Sequence, residues 1–279
     1  MKVTRNVRIA IAATAVAGLV AGLVGPAQAA PKTTVSIVQS NALTGLNPSV
    51  TNKNLTFNVD VAYLSGIGFN YYNNKATLID NTVLGTYKVV SQKPFKVQYT
   101  LKPGRVWSDG TPINGVDLLL SHVLSTAQYS VIAGLGDPGD SDVTPAFDSL
   151  GYGGIYDEHI VGLPQLSANK MSVTYEFDTA VPDWRLLAPG VAPVHTLVLM
   201  AEGETELQSV AKNNAARDRF LKYFETYNKK NMAAIGKIWS TAYNINEVNS
   251  STNPLLLVGN GPFIVKTAVP NGAVTMVRN

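Results

Sequence analysis

"VWSDGTPINGVDLLLSHVL", Val106 to Leu124, is the stretch on which the reading of this chain turns. Asp109-Gly110-Thr111-Pro112 is turn chemistry: the aspartate bonds its own backbone, glycine supplies a positive φ and proline fixes φ at the exit. Asn114 is an N-cap residue, and Asp117 three positions later falls in the first helical turn, where the helix dipole favours an anion. Leu118, Leu119, Val123 and the Trp107 ring are then free to enter a core. Two acids beside an aromatic also suggest a glycosidase pair flanking a scissile bond. Each acid already has a structural task, so the stretch predicts a scaffold that touches no ligand.

Outward from it, the chain alternates between strand and helix signals. Phe95 to Lys102, "FKVQYTLK", puts Phe95, Val97, Tyr99 and Leu101 on one face and polar residues on the other, which predicts a half-buried strand. "MSVTYEF", Met171 to Phe177, repeats the pattern. Lys32 to Gln39 reads as a first strand, and Phe69 to Ile79 as a hairpin turning at Asn73-Asn74. Helices are predicted over Val116–Thr126, Glu204–Asn228 and Asn231–Tyr243, the last capped by Asn231. Strands return in "GPFIVKTAV" and "GAVTMVRN", and Leu135 to Tyr156 is a Gly- and Asp-rich surface loop. This order predicts an α/β domain with a smaller β-rich portion inserted early.

Residues 1–29 have the grammar of a secretory leader: Lys2, Arg5 and Arg8, an apolar run from Ile9 to Val24, then Ala27-Gln28-Ala29 as a cleavage site. The domain proper is then 30–279. Three of the 22 basic residues lie in that leader, so nineteen basic residues face nineteen acidic ones in the remainder. No basic field is left for nucleic acid, and no Lys/Arg cluster for an anionic membrane. Cysteine is absent, which excludes disulfides, thiolate zinc sites and a cysteine nucleophile, and predicts an exported chain without a lipid anchor.

Chemistry-bearing motifs are scarce. His122, His159 and His195 are far apart and none sits in a metal-binding pair. No nucleophile elbow and no Walker loop occur. Gly134 to Gly139 fits G-x-G-x-x-G, but Pro138 and the acids Asp137, Asp140 and Asp142 make it a loop that repels phosphate. Those acids also lack the register of a calcium loop. The sequence therefore predicts no catalytic residue, no metal and no cofactor. A secreted hydrolase, or a sensor of the same fold, is the alternative.

"YTLKPGRVWSDGTPINGVDLLLSHV" resembles the signature of extracytoplasmic solute-binding proteins of the peptide type, which serve ABC importers. Leu46-Asn47-Pro48, Asp183-Trp184 with Pro193-Val194-His195, Gly261-Pro262-Phe263 and Val274 to Asn279 resemble further family segments in the same order. Asn114-Gly115-Val116 departs mildly from the family's turn. Asn70 to Asn74 is similar to the actinobacterial branch. The resemblance implies a periplasmic-binding-protein-like fold of the large, class II peptide-binding type. The 279 residues would correspond to its N-terminal lobe, the second lobe lying outside them. It also implies a monomer that captures a peptide or other small solute between two closing lobes and hands it to an ABC permease, its only link to the membrane. On this half the resemblance points to Asn41, Ala42 and Leu43 after the first strand, to Tyr72 and Asn73 of the hairpin, and to Tyr129 as ligand contacts.

Overall fold

The computed structural model describes residues 34–279, which divide into a segment ending at Gln39 and a unit running from Ser40 to Asn279. The leader at 1–29 lies outside the described residues. The expected first strand is not formed over 34–39: Val35, Ile37 and Val38 are exposed, and none of the described ladders includes them.

In the Ser40–Asn279 unit a helix, α1 (Thr56–Ser65), precedes a short hairpin of β1 (Asn70–Tyr72) and β2 (Leu78–Asp80). The hairpin is as the sequence predicts, but its positive φ sits on Ala76, while Asn73 Oδ1 accepts from the backbone N–H groups of Lys75 and Thr77. Next come β3 (Gly85–Gln92), β4 (Phe95–Leu101), β5 (Gln165–Leu166) and β6 (Ser172–Phe177), an antiparallel sheet of order β3-β4-β6-β5. In β4 the four residues of the predicted apolar face are all buried. Its other face is zipped to β6 by Lys96–Glu176 at 2.7 Å and Thr100–Ser172 at 2.9 Å. β3 has no sequence signal of its own. It is an edge strand with a bulge between Val89 and Ser91; its burial alternates throughout, but Val90 falls on the exposed face and Ser91 on the inner one, so the apolar pattern lapses.

The helices are α2 (Leu119–Ser125), α3 (Ala127–Ile132), α4 (Ile155–His159), α5 (Val194–Ala201), α6 (Val210–Glu225) and α7 (Lys229–Lys237). A 3-10 turn over Gly115–Leu118 leads into α2. α5 has seven of its eight residues buried, which marks it as the central helix, and α6 packs against it. α6 begins at Val210, six residues later than the amphipathic pattern predicts, and is capped by Ser209, whose hydroxyl accepts from Lys212 N–H. Asn228 caps α7 in place of the predicted Asn231. α7 then runs into a π-helical turn over Ile238–Ala242. A final hairpin, β7 (Phe263–Ala268) with β8 (Val274–Arg278), packs on α1 over a small second core around Val61, Val248 and Val265. Every ladder among the described residues is antiparallel.

Candidate functional site

The quoted stretch forms a tight turn. Trp107 N–H donates to Thr111 O at 2.9 Å, Gly110 has φ +83° and Asp109 Oδ1 accepts from Thr111 N–H at 2.9 Å. Asn114 and Asp117 close a reciprocal capping box, each side chain accepting from the other end of the turn. Tertiary partners then occupy both acids. His195 Nε2 lies 2.9 Å from Asp109 Oδ2, and Asn213 Nδ2 donates to the same oxygen at 3.1 Å and to Thr111 Oγ1 at 2.8 Å. Trp107 Nε1 donates to Asp117 Oδ2 at 3.3 Å, and Arg217 Nε stands 3.3 Å from Oδ1.

Burial sets the electrostatics of the two acids apart. For Asp109, burial would raise the carboxyl, but the hydrogen bonds from His195 and Thr111 outweigh it and hold the group below its ordinary range. For Asp117, complete burial wins over the pull of Arg217 and pushes the carboxyl up. The Asp109–His195 pair looks like two thirds of a hydrolytic triad. His195 is fully buried, however, and its Nδ1 has no hydrogen-bond partner among the described residues, so no hydroxyl is poised on it. His122 is also buried, bonded to Tyr156 Oη at 2.8 Å, and burial pushes it down to about 3. His159 pairs with Asp178 on the surface. Among the described residues no group of acids and histidines is arranged to hold a metal.

What the turn and its helix do position is a groove. One compartment of about 240 Å³ lies between the Leu46–Ser49 loop, α1, Trp107 and the Leu256–Asn260 segment. A second, of about 530 Å³, lies beside α2, walled by Ser121, Leu124 and Ser125, by Ser149 to Gly151 and by Asn54 and Val59. The two share Pro48, Ser49, Val191, Ala192 and Trp239. α2 turns its buried face to the core and presents Ser121 and Ser125 to this space. Asn47 is consumed by Trp239 O and Ser49 N–H, and Asn260 by both backbone groups of Ile67. Among the described residues, no charged side chain lines either compartment.

None of the six residues named from the resemblance lines the groove. Leu43 is buried in the small core. Tyr129 is buried, stacked on Phe224 and donating to Phe224 O at 3.0 Å, so it holds α3 to α6 and is not available to a ligand. Asn41 and Tyr72 are exposed, Ala42 and Asn73 partly so, and Asn73 spends its carbonyl on its own turn. Sequence reasoning missed Ser121, Ser125 and Trp239. For the two serines a signal existed: polar residues interrupting an apolar helix.

No protein-family profile matches the chain. A search of curated proteins finds an uncharacterized lipoprotein of Mycobacterium leprae, 22% identical over 216 residues, covering 76% of this chain and 33% of the relative. An uncharacterized lipoprotein of Mycobacterium tuberculosis is 21% identical over 221 residues, with the same coverage. The chain thus spans about a third of the length of the curated relatives it matches. All four such relatives are named lipoproteins, which overturns the expectation of an unlipidated chain. A missing cysteine speaks only for the 279 residues counted. Among solved structures, the periplasmic EDTA-binding protein EppA aligns with a TM-score of 0.55 at 19% identity, over 86% of this chain and 35% of its own. NikZ of Campylobacter jejuni, solved with Ni(L-His), aligns at 0.50 and 14%, over 90% and 36%. The described residues share the fold of the corresponding part of these two structures.

Proposed function

We propose that the protein captures a small solute outside the cytoplasm, a peptide by preference, and delivers it to an ABC permease. The observation that carries this reading is the pair of open compartments that share Trp239, mostly apolar with a few neutral polar groups, of which the larger, about 530 Å³, falls in the size range of small-ligand sites. The groove is one wall of the cleft. Closure of a second lobe over it, as the resemblance implies, buries the ligand and gives the permease a distinct shape to read. Neutral groups such as Ser121 and Ser125 pair with backbone amides and so add affinity without reading sequence.

Calorimetry of the protein with a pool of tri- to pentapeptides tests this. Saturable heat and a rise in melting temperature with peptide concentration are expected when a second lobe is present, because a ligand that binds only the folded state stabilises it; the 279 residues alone are expected to bind weakly or not at all. No heat and no shift for any peptide would sink the peptide reading. Asn41 and Tyr72, both exposed, remain proposed as outer contacts, and their replacement by alanine weakens peptide binding on this reading.

A further inference from the structure

Trp239 lies where the two compartments meet, and its setting is costly. It sits on the π-helical turn Ile238–Ala242, a geometry that is rare and concentrated at functional sites. The turn is pinned from several sides. Asn47 Nδ2 donates to Trp239 O at 3.0 Å, and Trp239 Nε1 donates to Asp148 O at 2.9 Å. Ser240 Oγ accepts from Asp148 N–H at 2.9 Å. The indole is thus held with its polar edge already bonded and part of the side chain packed on the core, and Trp239 lines both halves of the groove. Around it the polar groups are neutral: the hydroxyls of Ser49, Ser121 and Ser125 and the side-chain amide of Asn54 among them.

We infer that Trp239 is the stacking platform for an uncharged segment of the ligand, and that charged groups are kept out of this wall. An ion moved from water onto a surface with no counter-charge loses hydration that nothing replaces, whereas amides and small apolar groups are matched by hydroxyls and the indole face. For a peptide this assigns the middle of the chain to the groove and its termini elsewhere. The inference rests on the solute-capture reading and narrows it to a substrate class.

The test uses N-acetyl, C-amide tetra-alanine and the same peptide with Asp or Lys at its third position, with tryptophan fluorescence and calorimetry as readouts. The neutral peptide is expected to bind about tenfold or more tightly than either charged one, a ratio set by lost hydration. Its fluorescence response disappears in Trp239→Phe, although Trp107 and Trp184 remain. Ser125→Asp, a half-buried wall position, weakens the neutral peptide and restores the Lys-bearing one, giving a second readout should Trp239→Phe perturb the fold. Charged peptides binding within about twofold of the neutral one, or an unchanged fluorescence response in Trp239→Phe, overturn this inference and leave solute capture standing. If no peptide of either kind binds, solute capture falls with it.

Discussion

At the residue scale, the Asp117–Arg217 pair shows how a buried charge is tolerated only by company. Asp117 accepts from Asn114 N–H and Trp107 Nε1, and Arg217 stands at its other oxygen with both groups out of solvent. Removing one partner leaves the other uncompensated, which costs about 3–5 kcal/mol. Arg217→Met is therefore expected to lower unfolding free energy by that amount in urea titrations; a loss below about 1 kcal/mol would show that the pair is not coupled. His122 makes a pH prediction. Its folded value is pushed from 6.5 down to about 3, so the unfolded chain binds the extra proton between those values. Stability from His122 is present above 6.5 and lost as pH falls toward 3, at up to about 1.4 kcal/mol per pH unit. Asp109, held low, adds a loss of the same sign at more acid pH, and Asp117, pushed up, opposes it. His122→Phe keeps an aromatic in place and is expected to flatten the slope of stability between pH 4 and 6.5, read by denaturation at a series of pH values.

At the element scale, close backbone approach decides what the helices accept. Gly236 lies within α7, where alanine gains about 1 kcal/mol of helix propensity. A Cβ there would sit 2.5 Å from Ala146 O and 2.8 Å from its carbonyl carbon, and backbone atoms do not yield cheaply. Overpacking costs about 1–3 kcal/mol, so Gly236→Ala is expected to destabilise despite its propensity. Gly190→Ala, with nothing within 4 Å of the added carbon, is the control. Equal melting temperatures for the two variants would refute the packing argument. The same α7 approach fixes Phe147 in the core of a loop that the sequence presents only as polar surface.

At the scale of the whole molecule, one large core joins the β3-β4-β6-β5 sheet to α2, α5 and α6, and the groove opens where the loops at its edge do not meet. The 3-10 turn and α2 serve both: Val116, Leu119, Leu120 and Val123 fill the core while Ser121 and Ser125 face the groove. A single helix with two working faces explains why a scaffold motif also borders the candidate site.

The sequence by itself determined the local structure. The β4 and β6 alternation, the turn at Asp109-Gly110, the Asn114 cap, the hairpin at Asn70–Asp80 and the strands of Phe263–Arg278 all rest on period, φ preference or a hydrogen bond a few residues long. Tertiary structure alone decided the pairs His195–Asp109 and Arg217–Asp117, the burial of Leu43 and Tyr129 and the edge strand β3. Each depends on groups far apart in the chain meeting a partner. The groove belongs to the same class. Its walls come from segments between Leu46 and Val265, and a concave surface has no period to leave in a sequence.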